Sequence, residues 1–171
     1  TKNNMACELT AGKLLDCKDK YAGIKEVFFL QHEDLATGVV FDATTGEIED
    51  LPTIANLYRV QVEKNTANAD CTINPNEQGS VTFTHQVTFQ MRALSTTTRK
   101  EIALWAKNRL AIFVRDMNDN IWLYGRERGM EVASGTIATG AALGDFNGYT
   151  LAFQSEETQQ PVRVENFTTV P

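Results

Sequence analysis

Apolar and polar side chains alternate without a break from Ser80 to Met91. Val81, Phe83, His85, Val87, Phe89 and Met91 fall on one side, and Ser80, Thr82, Thr84, Gln86, Thr88 and Gln90 on the other. A period of two sustained over twelve residues predicts a β-strand about 40 Å long, well beyond the usual five or six residues. One face belongs to a core; the other is neutral and rich in Thr and Gln. Shorter strands are expected at 24–31, around Val27-Phe28-Phe29-Leu30, and at 38–41 as its partner. Ala43-Thr44-Thr45-Gly46 is the turn after it, with Gly46 free to take a positive φ. The stretch 57–64 alternates again, with Tyr58, Val60 and Val62 on one side. Asn74-Pro75-Asn76-Glu77-Gln78-Gly79 is a strong turn signal.

One helix is expected, over about 98–108. Ser95 or Thr98 can cap it, and Thr98-x-x-Glu101 fits a capping box. Ile102, Trp105, Ala106 and the stem of Arg109 make its buried stripe. Leu110 to Val114 then returns to strand character. Asp116-Met117-Asn118-Asp119-Asn120 reads as a turn, and Ile121-Trp122-Leu123-Tyr124 closes a hairpin. Residues 131–134 form a further strand, 135–148 a glycine-containing loop, and 149–154 a last strand. The polar stretches 1–23 and 156–171 read as arms, which leaves 24–155 as a β domain. The fold class expected is mostly β (α+β), a sandwich or barrel with one flanking helix and extended N- and C-terminal arms.

Composition narrows the functions available. A chain of 171 residues that is 42% hydrophobic forms one domain and needs no metal or disulfide staple. A net charge of −6 argues against a free nucleic-acid binder. No apolar run is long enough to span a membrane, and Thr1-Lys2-Asn3-Asn4 lacks the apolar core of a signal peptide, so a soluble, non-exported protein is expected. Charge is nonetheless uneven. Residues 92–128 hold eight Lys or Arg against four acids, so the remainder carries −10. That is either an ordinary helix and hairpin surface or a basic patch that meets an acidic one on a neighbouring copy.

Candidate chemistry is sparse. Cys7, Cys17 and Cys71 are widely spaced with no His nearby, unlike a zinc site, and nothing demands a Cys7–Cys17 bridge. Gly135-x-x-x-x-Gly140 opens like a phosphate-binding loop, but Ala141 and Ala142 stand where Lys and Ser or Thr are required. Asp116, Asn118, Asn120 and Glu127 match a calcium loop in part, yet Ile121 occupies the obligatory glycine position. His32 lacks a second histidine four residues on, and His85 sits on a strand's core face. The pairs Glu49-Asp50 and Glu156-Glu157 lie in polar stretches and read as solvated. No constellation carries catalysis, so neither enzymatic activity nor a metal or cofactor is expected. A polar pocket joining His32 or His85 to a perturbed carboxylate would instead favour an enzyme or binding module.

The stretch from Val81 to Phe153 resembles virion proteins of tailed bacteriophages, most of all those of the tail tube type. The resemblance lies in the long strand, then Leu94-Ser95-Thr96-Thr97-Thr98-Arg99-Lys100-Glu101 opening the helix, and Leu110-Ala111-Ile112-Phe113-Val114-Arg115-Asp116. The hairpin Asn118-Asp119-Asn120-Ile121-Trp122-Leu123-Tyr124-Gly125 continues it, as do Gly129-Met130-Glu131-Val132, Gly135 to Gly140 and Asp145 to Leu151. Met5-Ala6-Cys7 to Cys17-Lys18-Asp19 is similar to the start of such proteins. The resemblance, shared with Hcp-like ring proteins, implies a subunit that forms rings, commonly hexameric, stacked into a hollow tail tube. Its expected partners are itself and other phage tail proteins, in a virion tail assembled in the host cytoplasm, with DNA passing through without specific binding. On that basis Thr82, Thr84, Gln86, Thr88 and Gln90 are the expected lumen face. Arg99, Lys100, Arg126 and Arg128 are expected at subunit contacts, and the arms and the loop at 37–56 at the next ring. A head decoration, head–tail joining or tail-completion protein is the alternative.

Overall fold

The computed structural model of the chain describes residue 9 and residues 11–35, 39–50 and 57–167. Within them the elements in order are β1 (Ile24–Gln31), a 3-10 turn (His32–Asp34), β2 (Val40–Phe41), β3 (Ile48–Asp50) and β4 (Tyr58–Val60). There follow β5 (Asn68–Pro75), β6 (Val81–Arg92), α1 (Thr96–Trp105), β7 (Leu110–Asp116) and β8 (Ile121–Tyr124). The last three strands are β9 (Glu131–Ala138), β10 (Gly148–Glu157) and β11 (Val162–Asn166). A seven-stranded sheet, ordered β2-β3-β11-β8-β7-β1-β4, faces a four-stranded one, ordered β5-β6-β10-β9. The chain is thus mostly β, with one helix among the described residues. The two sheets make a sandwich; the barrel alternative fails, because the ladders stop at β2, β4, β5 and β9 and do not close.

Two apolar layers hold the strands. Between the sheets, Val27, Phe29, Ile112 and Val114 pack against Val87, Phe89, Leu151 and Phe153. Phe29 is the hub, with its ring 5.8 Å from Phe89, 5.2 Å from Phe153 and 5.0 Å from Trp105 of α1. On the other face of the large sheet, Phe28, Leu30, Phe113, Leu123 and Val164 are also buried, under Leu35, Val39, Leu57 and Phe167. Covering both faces explains why β1 and β7 read as unbroken apolar runs rather than alternating ones. In β6, by contrast, only one face is buried. His85, Val87 and Phe89 are inside, while Thr82, Thr84, Thr88 and Gln90 are half-exposed and Gln86 is exposed.

Local chemistry sets the ends of the elements. Ser95 caps α1, its hydroxyl accepting the Thr98 amide at 3.1 Å, so the helix starts two residues before the expected 98. With Ser95 as cap, the Thr98–Glu101 box is not the one used. The helix ends at Trp105, and Arg109 lies beyond it, exposed and paired with Glu131 at 3.4 Å rather than in the buried stripe. Asp42 accepts the Thr44 and Thr45 amides in the expected turn, where Gly46 has φ 74°.

Several expectations change. β2 pairs with β3, not with β1, whose neighbours are β7 and β4. Residues 131–138 are one strand; the loop is 139–147, and Gly148 already belongs to β10. Gly135 stands opposite Leu151, where a Cβ would lie 3.0 Å from Leu151 Cδ2, so this glycine serves packing rather than looping. β5 carries no apolar alternation strong enough to announce it. The C-terminal stretch is not an arm throughout, since Glu156 and Glu157 finish β10, and β11 pairs with β8 and β3. Residues 11–22 have no strand or helix and are exposed, and the Asn118 amide holds them at the body by exchanging two 3.0 Å hydrogen bonds with the Tyr21 backbone. Residues 1–8, with Met5, Ala6 and Cys7, lie outside the described residues. So do the Gly38 end of the expected second strand, 51–56 of the expected loop, and 168–171.

Candidate functional site

Pairing brings the polar face of β6 together with those of its three neighbours. In β5, Asn68, Asp70, Thr72 and Asn74 stand opposite Thr88, Gln86, Thr84 and Thr82. In β10, Thr150, Ala152, Gln154 and Glu156 stand opposite Gln90, Thr88, Gln86 and Thr84. Ser134, Thr136 and Glu131 of β9 continue the same face. The expected lumen residues Thr82, Thr84, Gln86, Thr88 and Gln90 are therefore the centre of a surface four strands wide. Its charges are Asp70, Glu131 and Glu156, plus Arg92 at the far end of β6, which pairs with Glu63 at 3.1 Å. Such a face offers phosphate oxygens hydroxyls and amides but no unpaired cation among the paired positions.

The same sheet ends in two open edges. β5 pairs only with β6 and β9 only with β10 among the described strands. β6 is interior, with both its ladders already used. From Val132 to Ala138, β9 carries no charge and no proline. Edges exposed to water are usually blunted by charge, proline or a bulge; this one has only the bulge at Ala133, opposite Ala152 and Phe153.

The four basic residues expected at subunit contacts separate into two pairs. Arg99 and Lys100 lie exposed on α1. Arg126 and Arg128 are engaged within the subunit. The Arg126 guanidinium lies 4.0 Å from the Phe41 ring centroid and donates to Gln159 Oε1, while Arg128 reaches the Glu156 carbonyl.

A buried polar cluster fixes that turn. Glu157 is buried, and its carboxylate accepts the Glu127 amide at 2.9 Å, the Arg128 amide at 3.2 Å and the Ser155 hydroxyl. Glu127 in return accepts the amide and hydroxyl of Thr158, the hydroxyl bond chief among the causes that hold its carboxyl below the usual range. His85 accepts the Gly125 amide at Nδ1 (3.3 Å), which puts its hydrogen on Nε2, donating to the Gln159 carbonyl at 2.9 Å. Burial pushes its pKa down, against opposing pulls from that carbonyl and from Glu157. Burial likewise pushes the Tyr124 hydroxyl up to about 12, and raises the half-buried Cys71 thiol. Ser155 donates to Glu157 rather than to His85, so the three side chains form a bracket between β10 and the 125–128 turn, not a nucleophile–base pair. His32 donates from Nε2 to the Arg126 carbonyl, 2.9 Å away, and belongs to the same bracket. Asp116 spends its carboxylate on the Asn118 and Asn120 amides and the Trp122 indole, the Asx turn its sequence announced.

No known protein family matches the chain, and neither curated proteins nor solved structures provide a match. Among the described residues no helix is long and apolar enough to cross a membrane. Sequence reading found β6 but missed that β5 and β9 extend its face. The signal was present in Asn68, Asp70, Thr72 and Asn74, polar residues spaced by two.

Proposed function

We propose that this protein is a structural subunit of a tailed-phage tail tube, and not an enzyme. Copies join into a ring, and rings stack into a tube through which DNA passes. The observation that carries this reading is the outward face of the small sheet: wide, hydroxyl- and amide-rich, with Asp70, Glu131 and Glu156 outnumbering an Arg92 that is paired with Glu63, and flanked by two open edges. In the ring, β5 of one copy pairs with β9 of the next, which removes both edges and turns the polar face toward the lumen. The charge pattern suits the task. Each phosphate neutralised by a lysine or arginine releases condensed counterions, and a few such contacts per ring hold DNA fast. A lumen of threonine, glutamine and carboxylate, whose one arginine is paired with Glu63, offers few of them, so DNA passes without being held.

The resemblance of residues 81–153 to tail tube proteins supports the same assignment. On this reading the protein works in a virion tail, assembled in the host cytoplasm, with other tail proteins as partners at the ends of the tube. The buried His85–Ser155–Glu157 bracket suits a structural subunit, because its groups spend their hydrogen bonds on one another and on the backbone. Size-exclusion chromatography followed by negative-stain microscopy of the purified protein tests the proposal. Rings with an open centre, alone or stacked, are expected. A monomer that persists at high concentration contradicts it, and closed rings that never stack favour the head–tail joining alternative.

A further inference from the structure

The small sheet is longer than the core beneath it, and it overhangs at two diagonal corners. At one end, Ile73 and Val81 lie on the core side of the β5–β6 hairpin by register, Ile73 beside Phe83 and Pro75 beside Val81. Yet Ile73 is 60% and Val81 49% exposed, because the large sheet does not reach them. At the opposite end and the opposite edge, Ile137 lies on the core side of β9, facing Tyr149, and is 63% exposed. Beyond it the 139–147 loop carries Leu143 entirely free of the body, at 110% of its reference exposure.

That loop is built rather than loose. Asp145 Oδ2 accepts the Ala141 amide at 2.9 Å and the Ala142 amide at 2.8 Å. Gly140 has φ 73°, and a Cβ there would fall 2.7 Å from Asp145 Cβ. Asn147 ties the loop to both flanks, its amide nitrogen donating to Thr139 O at 3.1 Å and its side-chain oxygen accepting the Leu94 amide at 3.3 Å. A pre-formed turn that presents a leucine to water loses little entropy when that leucine is covered.

We infer that the Leu143 turn, with Ile137 behind it, docks onto the Ile73–Val81 overhang of a second copy in the adjacent ring. The inference rests on the ring-and-tube reading and assigns the axial contact within it. A second copy is the fitting occupant for three reasons. The two patches are of similar apolar character. They lie at opposite ends and opposite edges of one sheet, so a step along the strands combined with the step from β9 to the neighbour's β5 around the ring brings one to the other. And they adjoin the open edges of β9 and β5, so the surface continues the one that closes the ring. Because the two patches differ, the contact is head-to-tail; it cannot close within a pair and must propagate. Each contact is small, and repetition around a ring makes the sum strong.

The test uses full-length protein and two variants, Leu143→Asp and Ile73→Asp, with Val81→Asp in reserve should Ile73→Asp melt early. Circular dichroism first establishes that each variant is folded. Sedimentation velocity and negative-stain microscopy then count rings per particle. Wild type is expected to give long stacks and each variant alone single rings. Mixed, they are expected to give two-ring stacks, since Leu143→Asp rings keep the overhang and Ile73→Asp rings keep the turn. Leu143→Asp tubes as long as wild type would overturn the axial contact while leaving the ring intact, as would a mixture that stays at single rings. Wild-type rings that never stack overturn it too, and a wild-type monomer removes the ring reading along with it.

Discussion

His85 is where acidity acts on this protein. Its neutral form is fixed by the Gly125 amide on one nitrogen and the Gln159 carbonyl on the other, inside a site where burial disfavours the charged ring. The folded state therefore holds its proton less tightly than the unfolded chain, whose histidine titrates near 6.5. By linkage, stability is full above that value and falls as pH drops through it toward the lowered folded pKa. Glu127 acts in a separate, more acid window. Its folded pKa is depressed below 4.5, so its contribution is present above that value and is lost as pH falls through the folded one. Thermal melts from pH 7.5 to 5.5 should show a falling midpoint, and His85→Gln should flatten that slope. An equal slope in the variant would remove His85 as its source. Gly148 is a second decisive position, where a Cβ would meet the Met91 carbonyl oxygen at 2.1 Å. Backbone cannot swing aside as a side chain does, so Gly148→Ala should cost about 1–3 kcal/mol in urea unfolding.

Among the elements, α1 depends on its cap more than on its buried face, since none of its residues is fully buried. Ser95→Ala should cost about 1 kcal/mol, read by urea midpoint at unchanged slope. The strands divide by how their burial is arranged. β6 was legible because one face is core and the other is water, so the period of two survives in the residues. β1 and β7 were legible as apolar runs because both faces are covered. β5 was not, since Asn68, Asp70 and Asn74 are poor strand formers, and its place comes from β6, which supplies the whole ladder. β9 was half legible: Gly135 read as a loop residue, whereas it is there to let Leu151 lie across the strand. β11 was hidden for a different reason: its five residues hold only two valines, Val162 and Val164, among Arg163, Glu165 and Asn166, and their partners lie far away in sequence, at Ile48 and Ile121. Of the candidate site, the sequence displayed the central strand and its polar face. The neighbours, the edges and the overhanging corners needed register.

At the scale of the whole molecule, the charge pattern decides what the small sheet can face. Gln86 sits at the middle of it, between Asp70 and Gln154. Gln86→Lys would place one cation per subunit, repeated around the ring, on a surface that otherwise offers none free. Assembled variant should retain double-stranded DNA at low salt and release it as salt rises, while wild type retains none. Retention by wild type would mean the face is a binding surface and not a passage. The most direct measurement is a cryo-electron microscopy reconstruction of the assembled protein. The account predicts a closed ring in which β5 of each subunit is hydrogen-bonded to β9 of its neighbour and Thr82 to Gln90 line the hole. A ring with that face turned outward, or with β5 and β9 left unpaired, would contradict it.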